Sequence, residues 1–160
     1  MNEKKIVIYH GQGRGKTSAA LGNAIFAAER GENVIIIQFM KSKSRDEYSI
    51  IKRMEPEIKL FRFEKSDREF ELLSPAEQDE EKQNIRNGLN YAKKVLATGE
   101  SNMLILDEVL ALLELNIVGV EELVEIFDAA TEPVQIVLTG RNLNPQIANY
   151  ADEIYDIEPQ

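Results

Sequence analysis

The segment at residues 10–18 carries the side-chain types that hold phosphate groups in proteins. It reads His-Gly-Gln-Gly-Arg-Gly-Lys-Thr-Ser and directly follows an apolar run at residues 6–9. Glycines let successive backbone N–H groups turn towards phosphate oxygens, and a helix that starts here adds partial positive charge. Lys16 would supply a point charge for the outer phosphates, and the Thr17 hydroxyl could bind Mg²⁺. The segment therefore predicts a site for the triphosphate of ATP.

The glycines of this loop are shifted relative to the general phosphate-loop pattern, Gly-x-x-x-x-Gly-Lys-Ser/Thr. His10 stands where that pattern has its first glycine, and Gly11, Gly13 and Gly15 follow at alternate positions. A degenerate loop that binds no phosphate is the alternative interpretation. His10 could act in catalysis, or it could fill the first loop position and bond to the backbone. Arg14 could contact phosphate or point to solvent.

Two later segments end in charged side chains that could complete such a site. Asp107 and Glu108 follow the apolar run at residues 103–106, and Arg141 follows another apolar run and a Thr-Gly pair. The carboxyl ends of parallel strands converge on one crevice, so both segments would face the phosphate loop. The acids could then hold Mg²⁺ directly or through water, together with Thr17. Arg141 could contact phosphate or a substrate carboxylate, or form a salt bridge with one of the many acids of the chain.

The elements predicted around these segments alternate between strand and helix. The predicted strands are residues 5–9, 33–39, 58–63, 103–106 and 134–138, with a short last strand at residues 153–157. The predicted helices are residues 16–30, a long helix from an N-cap at Ser74 to Gly99, and residues 120–129. Several strands are unbroken apolar runs, which indicates burial on both faces. The sequence thus predicts an α/β fold of the P-loop NTPase-like type, with a doubly wound, mostly parallel sheet and three α/β/α layers.

The apolar faces of the predicted helices should pack against this sheet. The expected buried residues are Ala20, Leu21, Ala24, Ile25 and Ala28 in the first helix, Ile85, Leu89, Ala92, Val95 and Leu96 in the long helix, and Val120, Leu123, Val124 and Phe127 in the third. Ser74 and Glu77 should form a capping box at the start of the long helix. The acidic stretch at residues 77–81 should be the solvated beginning of that helix.

The composition excludes several other kinds of site. The chain has 160 residues, no cysteine and a single histidine, so it can form neither a disulfide nor a thiolate or two-histidine metal site. Its formal net charge of −9 disfavours binding to nucleic acid or to anionic lipid. No apolar run reaches the roughly 18 residues that span a membrane, and no signal-peptide pattern is present. We therefore expect one cytoplasmic nucleotide-binding domain, residues 1–160, with small-molecule substrates and no nucleic-acid or membrane partner.

Taken together, the motifs resemble those of the P-loop corrinoid adenosyltransferases. The resemblance extends from residue 6 to residue 157 and rests on the shifted loop, Ala-Ala-Leu-Gly at residues 19–22, Gln-Phe-Met-Lys at 38–41, Leu-Asp-Glu at 106–108 and Val-Leu-Thr-Gly-Arg at 137–141. It implies a homodimer in which ATP donates its 5′-deoxyadenosyl group to the Co(I) of a corrinoid, with release of triphosphate. Because cobalt is the nucleophile, the protein would contribute positioning and charge neutralisation.

The resemblance also implies roles for individual residues. Those that would hold the triphosphate are Gly11, Gln12, Gly13, Arg14, Gly15, Lys16, Thr17 and Ser18. Thr17 and Glu108 would bind Mg²⁺, and Asp107 would support that shell. Lys16, Glu108 and Arg141 would be the catalytic residues, since they lie at the leaving triphosphate.

Two features depart from the pattern of the family. Its members place a Phe-x-Trp pair near the corrinoid, and this chain has Phe61 and Phe63 there. These two side chains would share one strand face, although they could simply belong to an ordinary strand with one of them in the core. Members also commonly carry an N-terminal extension and a basic, glycine-containing C-terminal segment, which this sequence lacks. The corrinoid pocket is then more open, or is closed by a partner subunit, or the activity has changed.

Two other functions fit parts of the sequence. A non-catalytic module that binds ATP or a corrinoid is compatible with the altered aromatic pair and the missing tail. A P-loop kinase or ATPase is compatible with the loop, although the shifted glycines and the lack of a recognisable arginine-rich lid helix disfavour it. The product separates the three functions, since they would release tripolyphosphate, no product and ADP respectively.

Overall fold

The computed structural model describes residues 3–13, 15–40 and 49–160, so that Arg14 and Lys41 lie outside the described residues. The strands are β1 Lys4–His10, β2 Val34–Gln38, β3 Ile58–Arg62, β4 Met103–Asp107, β5 Val134–Gly140 and β6 Glu153–Asp156. The helices are α1 Gly15–Glu29, α2 Ser49–Lys52, α3 Pro75–Thr98, α4 Val109–Glu114, α5 Val120–Asp128 and α6 Pro145–Ala148, with a 3₁₀ turn at Phe70–Leu72. Every predicted strand is confirmed, with ends that differ by at most two residues. None of the helices in these ranges is long and apolar enough to cross a membrane.

The strands form one sheet in the order β3-β2-β4-β5-β1-β6, and all of its described pairings are parallel. The register places Gln38 opposite Asp107, and His10 opposite both Gly140 and Asp156. The carboxyl ends of the strands therefore meet along one edge. Because β1 lies inside the sheet rather than at its edge, the loop that follows it emerges among neighbouring strand ends, where α/β proteins bind ligands.

Alternate strand residues bury against opposite layers of helix. Ile35, Ile37, Leu104 and Leu106 belong to the cluster that packs with α3, α4 and α5. Residues from the other face of the same strands, such as Ile36, pack with α1 and Ile51. Each fully buried aliphatic side chain contributes on the order of 1.5–3 kcal/mol from its transfer out of water. This two-sided burial confirms the doubly wound α/β/α arrangement.

The face that α1 buries differs in part from the prediction. Ala20 and Ala24 are buried as expected, and Ala27 completes the buried stripe. The prediction was wrong for Ile25, which is 45% exposed, because the buried positions follow the spacing i, i+4, i+7 and Ile25 lies beside that line. Alanines on this line let α1 approach the sheet closely.

The long helix α3 begins and ends as predicted. Ser74 is the N-cap, its hydroxyl accepts from Glu77 N–H at 3.2 Å, and Glu77 Oε1 accepts from Ser74 N–H at 3.0 Å. Gly99 ends the helix in the left-handed conformation, with φ of 68°. The expectation of a fully solvated acidic start was wrong for Glu81, which is buried. Its carboxylate accepts hydrogen bonds from the backbone of the segment that follows β3, which supplies the reason for its burial.

Candidate nucleotide site at the carboxyl edge of the sheet

Lys16 lies inside the loop that follows β1. Its Nζ donates hydrogen bonds to Gly11 O at 2.7 Å and to Gly13 O at 2.9 Å, and the residue is only 6% exposed. The helix α1 begins at Gly15, so the amides of its first turn have no acceptor within the helix, and its positive end faces the same place. The ammonium group and these amides form a cluster of hydrogen-bond donors that suits an anion.

The shifted glycines have a structural reason. Gly11 has φ of 124°, and a Cβ on it would lie 2.4 Å from Ile157 O, while a Cβ on Gly13 would lie 2.7 Å from the same atom. The chain after β6 therefore passes directly against the loop. Gly13 N–H donates to Ile157 O at 2.8 Å, and Gln12 N–H donates to Glu158 Oε1 at 3.3 Å. Only glycine fits where two backbones approach this closely.

His10 has a neighbour that the sequence did not suggest. Its Nδ1 lies 3.8 Å from Asp156 Oδ1, and its carbonyl oxygen accepts from Ile157 N–H at 2.8 Å. Its side chain is mostly buried beside β6. This position is the one expected for a residue that fills the start of the loop, and it places an acid rather than a further cation beside the imidazole.

Asp107 is the centre of a hydrogen-bond network that ties the loop to the sheet. It is 1% exposed, and its Oδ1 accepts from Thr17 Oγ1 at 3.0 Å and from Thr139 Oγ1 at 2.7 Å. Its Oδ2 lies 3.4 Å from Gln38 Nε2. The structure thus brings together Thr17 and Asp107, which the sequence had linked. Thr139 and Gln38 occur in the quoted motifs without an assigned role. The only sequence signal for them was their position at the carboxyl ends of β5 and β2, the two strands that flank β4.

Glu108 follows Asp107 in a strained conformation. It has φ of 64° and is the N-cap of α4, and its N–H donates to Thr139 Oγ1 at 2.8 Å. A left-handed conformation at a residue other than glycine costs roughly 1–2 kcal/mol and is common at functional sites. Met40, at the end of β2, has a similar φ of 59°. Two of the residues with this conformation therefore lie at the same sheet edge.

The remaining predicted site residues lie around this centre. Gly15 opens α1, and Ser18 is exposed in its first turn. Arg141 is exposed in the turn after β5, where its carbonyl oxygen accepts from Gly11 N–H at 3.0 Å. Within the described ranges its side chain makes no ion pair. The predicted phosphate contact of Arg14 falls outside the described residues.

The side-chain oxygen atoms at this edge of the sheet suit a hard divalent cation. Mg²⁺ in nucleotide sites is bound by one or two protein oxygen ligands together with substrate phosphates and water. Thr17 donates its hydroxyl hydrogen to Asp107, which leaves the lone pairs of Oγ1 for a cation. Among the described residues, no group of three or more His, Cys, Asp or Glu could hold a metal ion by itself. A cation here would thus be shared with the nucleotide.

Phe61 and Phe63 lie on the α3 side of the sheet. Both rings pack against Tyr91, with centroid distances of 4.9 Å and 5.7 Å. The two residues share a face, as strand alternation predicts, and both are half-buried at the border of the core. They combine with Tyr91 into an aromatic group near the carboxyl ends of β2 and β3.

A pair of acids beside this group was missed by the sequence analysis. Glu64 Oε1 accepts from Met40 N–H at 2.8 Å, and Glu81 accepts from Lys65 N–H at 3.0 Å and from Asn84 Nδ2 at 2.8 Å. Burial raises the pKa of Glu64 to about 7; the hydrogen bond from Met40 opposes this change and the Glu81 carboxylate adds to it. The pair ties the ends of β2 and β3 to α3. Acids without a sequence motif cannot be recognised in this role before the fold is known.

The chain is similar to proteins of a known family. The family described as ATP:corrinoid adenosyltransferase BtuR/CobO/CobP matches residues 2–160. The corrinoid adenosyltransferase of Escherichia coli K12 and CobA of Salmonella typhimurium LT2 are each 25% identical over 159 residues, which cover 96% of this chain and 76% of the relative. That of Pseudomonas aeruginosa is 24% identical, covering 98% and 76%.

Among solved structures, a KaiC-like protein of Pyrococcus horikoshii OT3 has a TM-score of 0.60 at 20% identity, covering 98% of this chain and 73% of its own. This likeness shows a shared fold, of the P-loop NTPase-like type. The family match spans nearly the whole chain, including every element that forms the site. The chain therefore belongs to the ATP:corrinoid adenosyltransferase family, and it is a transferase whose substrates are ATP and a corrinoid.

Proposed function

We propose that the edge formed by the loop after β1 and the ends of β2, β4 and β5 is where this chain moves the 5′-deoxyadenosyl group of ATP to a corrinoid. The observation that carries the proposal is the hydrogen bond from Thr17 to Asp107, at 3.0 Å. It joins the start of α1, where the triphosphate would lie, to the acids that would hold its cation. A loop that only packed against the sheet would not need to aim a hydroxyl at a buried carboxylate.

The triphosphate would be held by loop residues 11–13 and by the first turn of α1 up to Ser18, and a phosphate contact of Arg14 stays a prediction from the sequence. Lys16 already points its ammonium group into the loop, where it would leave the two carbonyls for phosphate oxygens. The carbonyl oxygen of Arg141 accepts from Gly11 N–H, and its exposed side chain could reach the same anion through its planar fork. These cations would neutralise the charge that the leaving triphosphate gains.

Thr17 and Glu108 would bind Mg²⁺, and Asp107 would support them. When bound, Mg²⁺ would neutralise phosphate charge and fix the orientation of the triphosphate. Asp107 would hold the Thr17 hydroxyl in one orientation, and Thr139 would hold Asp107. The left-handed conformation of Glu108 sets the direction in which its carboxylate leaves the end of β4.

In the reaction, the Co(I) of the corrinoid substrate supplies the electron pair. A cobalt–carbon bond forms to the 5′ carbon of ATP, the bond from that carbon to the phosphate oxygen breaks, and triphosphate leaves with the electron pair of the broken bond. No proton transfer is needed, so the residues of the site position the two substrates and stabilise the leaving group. Phe61 and Phe63 would supply the apolar face against which the corrinoid lies.

An anaerobic assay with chemically reduced cob(I)alamin, ATP and Mg²⁺ tests this proposal. The expected result is the visible spectrum of adenosylcobalamin together with an equal amount of tripolyphosphate. Release of ADP would instead indicate a kinase or ATPase, and ATP binding without any product would indicate a regulatory or delivery module. The Asp107→Asn variant is the loss-of-function comparison, because it keeps the shape of the buried side chain but removes its charge, and it should form less adenosylcobalamin than the wild type.

The proposal extends to the assembly and location that the resemblance implies. We propose that residues 1–160 act as one nucleotide-binding domain, that two copies form a homodimer, and that the protein works in the cytoplasm on small-molecule substrates. Analytical ultracentrifugation at micromolar concentration tests the dimer, since a monomer of 18.2 kDa is readily distinguished from its dimer.

A further inference from the structure

Gln38 has a buried oxygen that no group in the described part of the chain satisfies. The residue is 3% exposed at the carboxyl end of β2, directly opposite Asp107 in the sheet register. Its Nε2 lies 3.4 Å from Asp107 Oδ2, while its Oε1 is buried and has no hydrogen-bond donor in the described ranges. Buried polar atoms of native proteins are nearly always paired, so such an atom calls for a donor that arrives with a ligand or with water.

The amide orientation is determined by its neighbour. Turning the amide round would place Oε1 against Asp107 Oδ2, so that two acceptors would face each other. With Nε2 towards Asp107, the unsatisfied acceptor Oε1 lies beside the carboxylate to which Thr17 donates its hydrogen bond. The unsatisfied atom is therefore part of the same network that would hold the cation.

We propose that Gln38 positions the cation of the triphosphate, its Oε1 accepting a hydrogen bond from a water molecule coordinated to that cation. A coordinated water gives its lone pair to the metal and has two hydrogens to donate. Asp107 Oδ2 and Gln38 Oε1 are two neighbouring acceptors at the end of two paired strands, and they suit those two hydrogens. This inference rests on the proposed nucleotide site and adds to it a residue that fixes the outer shell of the cation.

The test measures how strongly a cation strengthens the binding of inorganic tripolyphosphate. Isothermal titration calorimetry gives the tripolyphosphate Kd with and without Mn²⁺, and the ratio of the two Kd values is the coupling between cation and anion. In Gln38→Leu we expect the ratio to fall about tenfold or more, as for other outer-shell partners of metals, with an unchanged Kd in the absence of Mn²⁺. Gln135→Leu on β5 is the matched control, because Gln135 lies towards the amino ends of the strands and should keep the wild-type ratio.

The variant Gln38→Glu separates the hydrogen-bond role from a packing role. A glutamate at this position would share a proton with Asp107, which replaces the hydrogen bond from Nε2, and its other oxygen keeps an acceptor where Oε1 lies, so the coupling ratio should be restored. An unchanged ratio in Gln38→Leu would overturn the inference, as would an equal loss of coupling in Gln38→Leu and Gln38→Glu. If the wild-type protein itself shows no coupling, the proposed cation site fails, and this outcome is distinct from a failure at Gln38 alone.

Discussion

Thr17 Oγ1 donates a hydrogen bond to Asp107 Oδ1 across 3.0 Å, although 90 residues separate the two in the sequence. The same Oδ1 accepts from Thr139 at 2.7 Å, so one buried carboxylate oxygen joins α1, β4 and β5. This arrangement makes the orientation of the loop dependent on the sheet beneath it. Substitutions in this network should therefore change both stability and ligand binding.

Thr139→Val should lower the free energy of unfolding by about 1–3 kcal/mol. Thr139 is fully buried, donates to Asp107 and accepts from Glu108 N–H at 2.8 Å, whereas valine keeps the shape and provides neither group. Urea denaturation followed by circular dichroism measures the change. Thr131→Val, at an exposed threonine, is the control, and an equally small effect of both substitutions would contradict the role of Thr139.

Lys16→Met should weaken tripolyphosphate binding about 10- to 100-fold, as expected for the loss of a hydrogen bond to a charged group. Methionine keeps a long apolar stem in the buried space but has no charge. Because Lys16 also bonds to two loop carbonyls, the variant should lose a little stability as well. Calorimetry with tripolyphosphate measures the affinity, and Lys94→Met on the exposed side of α3 serves as the control. Undiminished affinity in Lys16→Met would refute the phosphate site.

Glu158→Gln should strengthen tripolyphosphate binding about two- to fivefold, the effect of one exposed charge. The Glu158 carboxylate accepts from Gln12 N–H at 3.3 Å, so it lies at the loop that would bind tripolyphosphate. Its negative charge should repel that anion. The gain should shrink in high salt, because the repulsion between exposed charges is screened. Glu125→Gln on α5 should leave the affinity unchanged. A gain of the same size in both variants would mean that only net charge matters.

Phe63→Trp should give a fluorescent signal for the corrinoid and raise turnover. The chain has no tryptophan, so the introduced indole is the only one, and it restores the residue that the resemblance implies near the corrinoid. Addition of hydroxocobalamin should quench its emission in a saturable way. Phe26→Trp on the exposed face of α1 is the control, since Phe26 is 62% exposed and distant from the proposed pocket. Equal quenching of both variants, or a loss of stability without a gain in rate, would place residue 63 in the core alone.

Glu64→Gln should remove a pH dependence of stability. The folded pKa of Glu64 is about 7 and its ordinary value is 4.5, so the unfolded chain releases this proton first as the pH rises. The free energy of unfolding of the wild type should therefore fall between pH 4.5 and 7, with the penalty complete above pH 7. Among the described residues, the charges that shift this pKa are those of Glu81 on α3, which raises it, and Arg62 on β3, which lowers it.

Glutamine can accept the same hydrogen bond from Met40 and carries no charge. At pH 8 the free energy of unfolding of Glu64→Gln should exceed that of the wild type by about 2–3 kcal/mol, and below pH 4.5 the two values should be alike. Urea denaturation at pH 4.5, 6 and 8 measures the difference. A difference that stays constant over this range would show that folding does not raise the pKa of Glu64.

Much of the architecture could be predicted because it depends on local chemistry. Unbroken apolar runs such as that of β2 predict buried parallel strands, and Ser74, Glu77 and Gly99 mark the ends of α3 by hydrogen bonds made within a few residues. The short helix α4 was missed, because it is buried on nearly all sides and its apolar residues show no helical period. Ile25 was misplaced because its exposure depends on where α1 meets the sheet.

The sequence by itself determined the family, and it predicted the chemistry of the loop, since Gly-Lys-Thr between a strand and a helix has few other uses. Only the tertiary structure decided why the glycines are shifted and which residues support Asp107. Gly11 and Gly13 are needed because Ile157, far along the chain, passes against them. Gln38 and Thr139 reach Asp107 through strand order and register, which depend on contacts between distant segments and leave no local pattern in the sequence.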